Sequence, residues 1–293
     1  MAHRRRLLAG YASVIALAGM FAAATPAGAA SLATPAFQHY VALGDSYASG
    51  PFIPNQSPNP VGCARSDHNY ASDLARSLGI PTLVDVSCGG AVSADMTQAQ
   101  SVPLGSNPPQ FNALTANTDL VTVTIGGNDI GFTSIIETCA VESVTNPFGN
   151  PCQQHFTSGG TDQLAARIKA DAPTIAAVLS GIRQRAPHAE VVVVGYLRIL
   201  PPTVGCWPVV PVAVGDVPYL TSVEQGLNTM LGAQAAAAGD TFVNAGLPTG
   251  HDVCEPEGVK WVEGIVPTAP AFPVHPNAAG MAEVASLIHT ALG

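Results

Sequence analysis

Short apolar runs, each closed by glycine or a small polar residue, alternate along this chain with longer segments of helical spacing. His39 to Leu43, Thr82 to Ser87, Asp119 to Ile125, Glu190 to Val194 and Thr241 to Asn244 read as strands. Tyr70 to Leu78 (ending at Gly79), Asp162 to Arg185 (interrupted at Pro173), Ser222 to Ala238 and Ala278 to Leu292 read as helices. Strands that are apolar along their whole length are buried on both faces. Alternation with helices makes their sheet parallel. Right-handed crossovers then cover both faces. The fold class expected is therefore α/β: a three-layer α/β/α sandwich with a parallel, flavodoxin-like sheet of about five strands. No internal repeat and no long flexible linker divides the chain, so one folded domain is expected over residues 30–293.

In such folds the functional site lies at the carboxyl ends of the strands. Gly44-Asp45-Ser46-Tyr47 follows the first strand, Cys88-Gly89-Gly90 the second, and Gly126-Gly127-Asn128-Asp129 the third. His275-Pro276-Asn277 precedes the last helix. A hydroxyl, a bare backbone, a side-chain amide and an imidazole thus converge on one sheet edge. Ester hydrolysis needs that set. A serine hydroxyl is a weak nucleophile until a base takes its proton, and imidazole titrates in the right range to do so. The charge that develops on the carbonyl oxygen must meet fixed N–H donors. The Ser46 and Gly90 backbone N–H groups and the Asn128 side chain can supply them. Asp45 and Asp129 read as braces of their loops. The adjacent pair His251-Asp252 is a poorer base than His275, because neighbouring residues rarely face one partner.

Composition narrows the setting. Arg4, Arg5 and Arg6, an apolar stretch from Leu7 to Ala24, and the small residues Ala27-Gly28-Ala29 read as a cleaved signal peptide over residues 1–29, so the protein is expected to be secreted. The paired arginines leave two export routes open. Cleavage would leave 8 Lys+Arg against 20 Asp+Glu, a net charge of about -12. Such a chain lacks the basic surface that nucleic acid or an anionic membrane demands. Stable membrane insertion is not expected, and the protein is expected to be a monomer. Six cysteines in an exported chain argue for disulfides, with 15 pairings possible. No CxxC or HExxH spacing appears. No metal or organic cofactor is implied.

The blocks Gly44-Asp45-Ser46-Tyr47, Gly90, Gly127-Asn128-Asp129 and His275 resemble, in family order, those of the SGNH hydrolases, also called GDSL esterases and lipases. The resemblance spans most of the chain after the leader. It implies Ser46 as nucleophile, His275 as base, and Ser46, Gly90 and Asn128 as the oxyanion hole. The cysteine layout is similar to that of secreted actinobacterial lipases of the family. It implies the pairs Cys63–Cys88, Cys139–Cys152 and Cys206–Cys254. The first would brace the loop carrying Gly90. One position departs from the pattern. The family's histidine-orienting Asp, three residues before the histidine, is here Phe272. A backbone carbonyl, most simply that of Phe272, is expected to orient His275, as in the Ser–His dyads of similar family members. The rival is a distant carboxylate, Asp252.

The resemblance implies a small-molecule or lipid ester as substrate, with fatty-acyl esters of glycerol favoured and phospholipids possible. A carbohydrate acetylesterase of the same fold is the alternative enzyme, although aromatic residues make up only 6% of the chain. A secreted binding module without chemistry is the alternative of another class. The apolar, Pro-rich segment Ile199 to Leu220 is either a packed surface loop or a wall of an acyl pocket, with Trp207 as a candidate contact. Leu104 to Phe111 and Phe148 to Phe156 are further loops expected beside the strand ends.

Overall fold

A computed structural model describes Met1 and residues 36–293, and the compact unit runs from Pro35 to Gly293. The expected leader falls outside the described residues. The elements in chain order are β1 (His39–Gly44), α1 (Ser46–Ser49), α2 (Tyr70–Leu78), β2 (Thr82–Asp85), β3 (Gln100–Val102), β4 (Gly105–Asn107), β5 (Leu120–Thr124), α3 (Phe132–Thr145), α4 (Pro151–Thr157), α5 (Gln163–Arg185), β6 (Glu190–Val194), α6 (Val217–Ala238), β7 (Thr241–Val243) and α7 (Ala278–Leu292). Five strands form one parallel sheet in the order β2-β1-β5-β6-β7. The chain starts near the middle, runs to one edge, then returns past β1 to the other. The β1–β5 junction is therefore the switch point at which such folds open a crevice.

Burial explains the strands. β5 is buried at every position, and β1 and β6 at all but their first residues. The two threonines inside β5 do not leave orphan hydroxyls. Thr122 Oγ1 lies 2.7 Å from the Tyr40 hydroxyl, and Thr124 Oγ1 lies 3.0 Å from that of Tyr70. The edge strand β2 is only half covered. Helices α2 and α7 pack on each other, as do α5 and α6. Side chains begin several helices by accepting the free N–H groups of the first turn. Asn69 does so for α2, Asp162 for α5 and Asn277 for α7.

Two expectations change. Pro173 lies inside α5 without ending it. Apolar residues on both sides of the proline (Leu164 and Ile168 before it, Ile175, Val178, Leu179 and Ile182 after it) are buried. Their packing outweighs the one backbone hydrogen bond that proline removes. Helix α6 starts at Val217, earlier than the alanine-rich pattern suggests, with a proline in its first turn. Helices α3 and α4 and the β3–β4 hairpin lie in segments without strong periodicity. The cysteines pair as Cys63–Cys88, Cys139–Cys152 and Cys206–Cys254. Among the described residues, no helix is long and apolar enough to cross a membrane.

The start of α7 concentrates several buried polar contacts on one residue. Asn277 Oδ1 accepts the Gly280 N–H at 3.0 Å, while Nδ2 donates to Lys260 O at 2.9 Å and to Glu263 Oε1 at 2.8 Å. Asn277→Ala removes the helix cap and leaves buried acceptors unpaired. The expected loss is about 2–4 kcal/mol of stability, read as a lower urea midpoint at unchanged slope.

Candidate active site

Ser46 stands where β1 turns into α1, and each side of that turn is tied down. Gly44 has φ +143°, and a Cβ there would meet Thr124 O at 2.4 Å. The backbone of β5 comes that close because glycine has no side chain. The Asp45 N–H donates to Thr124 O at 2.9 Å. The Gln110 side-chain amide closes a two-bond clamp on Gly44, donating to its carbonyl at 2.9 Å and accepting its N–H at 2.8 Å. Asp45 caps α1 by accepting the Tyr47 N–H at 2.8 Å. Its other oxygen accepts the Tyr196 hydroxyl at 2.5 Å. Burial dominates and pushes the Asp45 carboxyl up to about 7, against the opposing pull of Tyr196 and the Tyr47 N–H. Asp45 is thus a buried brace.

The histidine reaches the serine from the loop before α7. His275 Nε2 lies 2.8 Å from Ser46 Oγ. Nδ1 lies 2.8 Å from Pro273 O. A carbonyl can only accept, so Nδ1 carries the proton and Nε2 is left with the lone pair that faces the serine. The orienting carbonyl is therefore that of Pro273 and not that of Phe272. The Phe272 carbonyl is turned instead to the backbone N–H of His275 at 3.2 Å, closing a tight turn. The Phe272 ring meets the imidazole edge-on, with centroids 5.2 Å apart. Asp252 does not orient the histidine. Its carboxylate accepts the Cys254 N–H at 3.0 Å. Burial of His275 lowers its pKa to about 4, and the Pro273 carbonyl only partly opposes that shift.

This loop is held in a conformation it would not choose alone. Val274 has φ +59°, which a β-branched residue rarely adopts. The Tyr47 hydroxyl, one residue from the serine, donates to Val274 O at 2.8 Å. The Tyr47 ring also lies 5.1 Å from the imidazole and 5.1 Å from Tyr196. One tyrosine thus fixes the histidine loop to the serine turn.

The expected oxyanion donors share the same edge. Gly90 takes φ +76°, which turns its backbone out of the strand direction. Its N–H and that of Ser46 have no protein acceptor among the described residues. Asn128 Nδ2 donates to Ala91 O at 2.9 Å, which leaves the second amide hydrogen available. The loops beneath them are braced. The Gly127 N–H donates to the Tyr196 hydroxyl at 2.7 Å. The Ser93 N–H and hydroxyl bond the Asp129 carboxylate at 3.0–3.1 Å. The Cys88 N–H reaches Gly44 O at 3.0 Å and the Gly89 N–H reaches Cys63 O at 2.9 Å, beside the Cys63–Cys88 bond.

An apolar cavity reaches the histidine loop at Val274, although neither Ser46 nor His275 lines it. Val274, Gly127 and Tyr196 line one part of it. Much of the rest comes from α3 (Ile135, Ile136), from α6 (Val223, Leu227) and from the Pro-rich segment through Ile199, Leu200, Val210 and Val212. That segment is thus a pocket wall, but Trp207 is not among the lining residues. Of the other loops, Leu104 to Phe111 contains β4 and the Gln110 clamp, and Phe148 to Phe156 contains most of α4. Gln110, Tyr196 and the structural role of Tyr47 escape sequence reasoning. Only Tyr47 sits in a recognisable motif.

The sequence and the fold agree with known proteins. The chain is 39% identical over 295 residues to Lipase 2 of Streptomyces coelicolor, covering 99% of this chain and 97% of that one. Two solved structures cover 87% of it and 99% of their own chains. They are a phospholipase A1 from Streptomyces albidoflavus (28% identity, TM-score 0.71) and an extracellular lipase from Streptomyces rimosus (26% identity, TM-score 0.69). The model of the GDSL-like lipase/acylhydrolase family matches residues 42–283. The chain therefore belongs to that family and is a carboxylic ester hydrolase.

Proposed function

We propose that this protein is a secreted serine esterase that cleaves fatty-acyl esters, acylglycerols foremost, through an acyl-enzyme on Ser46. The observation that carries the mechanism is the line Ser46 Oγ–His275–Pro273 O, with 2.8 Å at each end. As Ser46 attacks the ester carbonyl, His275 Nε2 takes its proton. The Ser46 N–H, the Gly90 N–H and the Asn128 amide receive the oxyanion. His275 then protonates the leaving alcohol. Water deprotonated by the same imidazole releases the acid. The Pro273 carbonyl holds the tautomer, as a triad carboxylate does elsewhere, without adding a negative charge. A buried, neutral histidine suits a base that must start unprotonated.

The apolar cavity favours a long acyl chain over acetate, since it is lined almost wholly by carbon. A phospholipid is the second reading, favoured by the likeness to the phospholipase A1. The disulfides, the arginine-led apolar start of the chain and the likeness to an extracellular lipase support export.

Three outcomes are expected. Ser46→Ala loses at least about a thousandfold in kcat on p-nitrophenyl esters, while the wild type prefers longer acyl chains to acetyl. Equal activity of both proteins would remove Ser46 from the mechanism. Asp252→Asn keeps turnover within about threefold of wild type, because no carboxylate orients His275; a triad Asp would cost about ten-thousandfold. The pH profile of kcat/KM gives the third. A base whose pKa is lowered stays neutral down to that value, so activity holds at pH 6 and falls as the pH drops through about 4. A fall centred near 6.5, the ordinary imidazole value, would contradict a buried base.

A further inference from the structure

The cavity at the histidine loop is apolar except at one side chain that the proposed chemistry does not use. Among its lining residues Glu224, on α6, is the one with a carboxyl group. Tyr196 also lines it, but its hydroxyl is committed to Asp45 and Gly127. Glu224 Oε2 accepts the Ile199 N–H at 2.8 Å. Oε1 is buried and has no hydrogen-bond partner. Arg198, one residue from Ile199, turns its guanidinium to Pro248 O at 3.3 Å and does not pair with the acid. A partnerless buried polar atom is costly, and an all-carbon acyl chain laid against it offers no relief.

Protonation decides what that oxygen can do. Burial raises the Glu224 pKa to about 8, with the Ile199 N–H and Arg198 pulling it down and Asp252 adding to the rise. The uncharged acid is therefore the favoured form at neutral pH. Oε2 is already an acceptor, so the proton belongs on Oε1. Glu224, a residue of the cavity wall, then carries one unpaired O–H that can both donate and accept. Glu224 is close enough to Tyr47 that, after burial, its charge is the next cause raising that phenol's pKa. Tyr47 in turn packs against the His275 ring.

We propose that Glu224 selects acyl chains that carry a hydroxyl group, by exchanging hydrogen bonds with that hydroxyl inside the cavity. The proposal rests on the esterase reading above and names its substrate class. An alcohol both donates and accepts, so it satisfies Oε1 in a way that a methylene cannot. A site whose polar group is left unpaired discriminates against the analogue that lacks the partner.

The test uses the purified protein with methyl stearate and a set of positional monohydroxystearate methyl esters in direct competition. For the best isomer, wild-type kcat/KM is expected to exceed that for stearate about tenfold. Glu224→Gln, which keeps a neutral donor and acceptor, retains the preference. Glu224→Leu brings the ratio to about one. A role confined to bonding Ile199 would change total activity in these variants and leave the ratio alone, which overturns the proposal. So does a wild type that cleaves stearate without preferring any hydroxylated isomer, a result that leaves the esterase reading standing and needs no variant to fold. A wild type inert on every ester overturns both.

Discussion

The approach of β1 to β5 at Gly44 is the contact on which the rest of the site depends. A Cβ at this position would overlap Thr124 O. Without one, the backbone passes close enough for the Asp45 N–H to bond that same oxygen. The turn is thereby fixed to the most buried strand of the sheet, and Ser46 is delivered at its end with its hydroxyl in the crevice. Several of the bonds that hold the site end on this turn. The Gln110 clamp and the Cys88 N–H bond both end on Gly44, and the Tyr196–Asp45 bond ends one residue later.

The site is assembled by buried polar bonds between segments far apart in the chain. Tyr196, just after β6, joins the serine turn to the Gly127 loop. Tyr47 joins the serine turn to the histidine loop across 227 residues. Such bonds are individually modest in net stability. Their value here is positional, because each ties a loop of the candidate site to a distant segment. The positive φ of Val274 shows the same economy. A strained residue is tolerated where neighbours over-determine its place. Here the Tyr47 hydroxyl holds its carbonyl, and the two adjacent residues carry the carbonyl and the imidazole that it orients.

Orientation by a carbonyl has an electrostatic consequence. A carboxylate partner would raise the pKa of the imidazole and require a second charge in the crevice. Pro273 O supplies direction with only a dipole, so desolvation dominates and the histidine is held neutral, as the proposed base must be. The Glu224 acid obeys the same rule with the opposite sign. Burial disfavours the charged form of either group, keeping the imidazole unprotonated and the carboxyl protonated.

Much of this was legible in one dimension. The largely apolar strands set the parallel sheet, because a strand buried on both faces carries no exposed polar face. Gly44-Asp45-Ser46, Gly90, Asn128 and His275 follow the strands or precede the last helix, and their order resembles that of a known family, so together they exposed the candidate site. Other features follow from no local pattern. Gln110 and Tyr196 act at sequence distances of 66 and 151 residues from their partners. Helix α3 lacks a clean period, as a segment that walls a cavity need not show one polar face. The choice of Pro273 over Phe272 turned on a backbone reversal set by the positive φ of Val274 and by long-range contacts. Residue types and their order along the chain determined the fold class and the candidate reacting groups. Tertiary structure alone decided which carbonyl, hydroxyl and amide would hold them, because those partners are chosen by proximity in space.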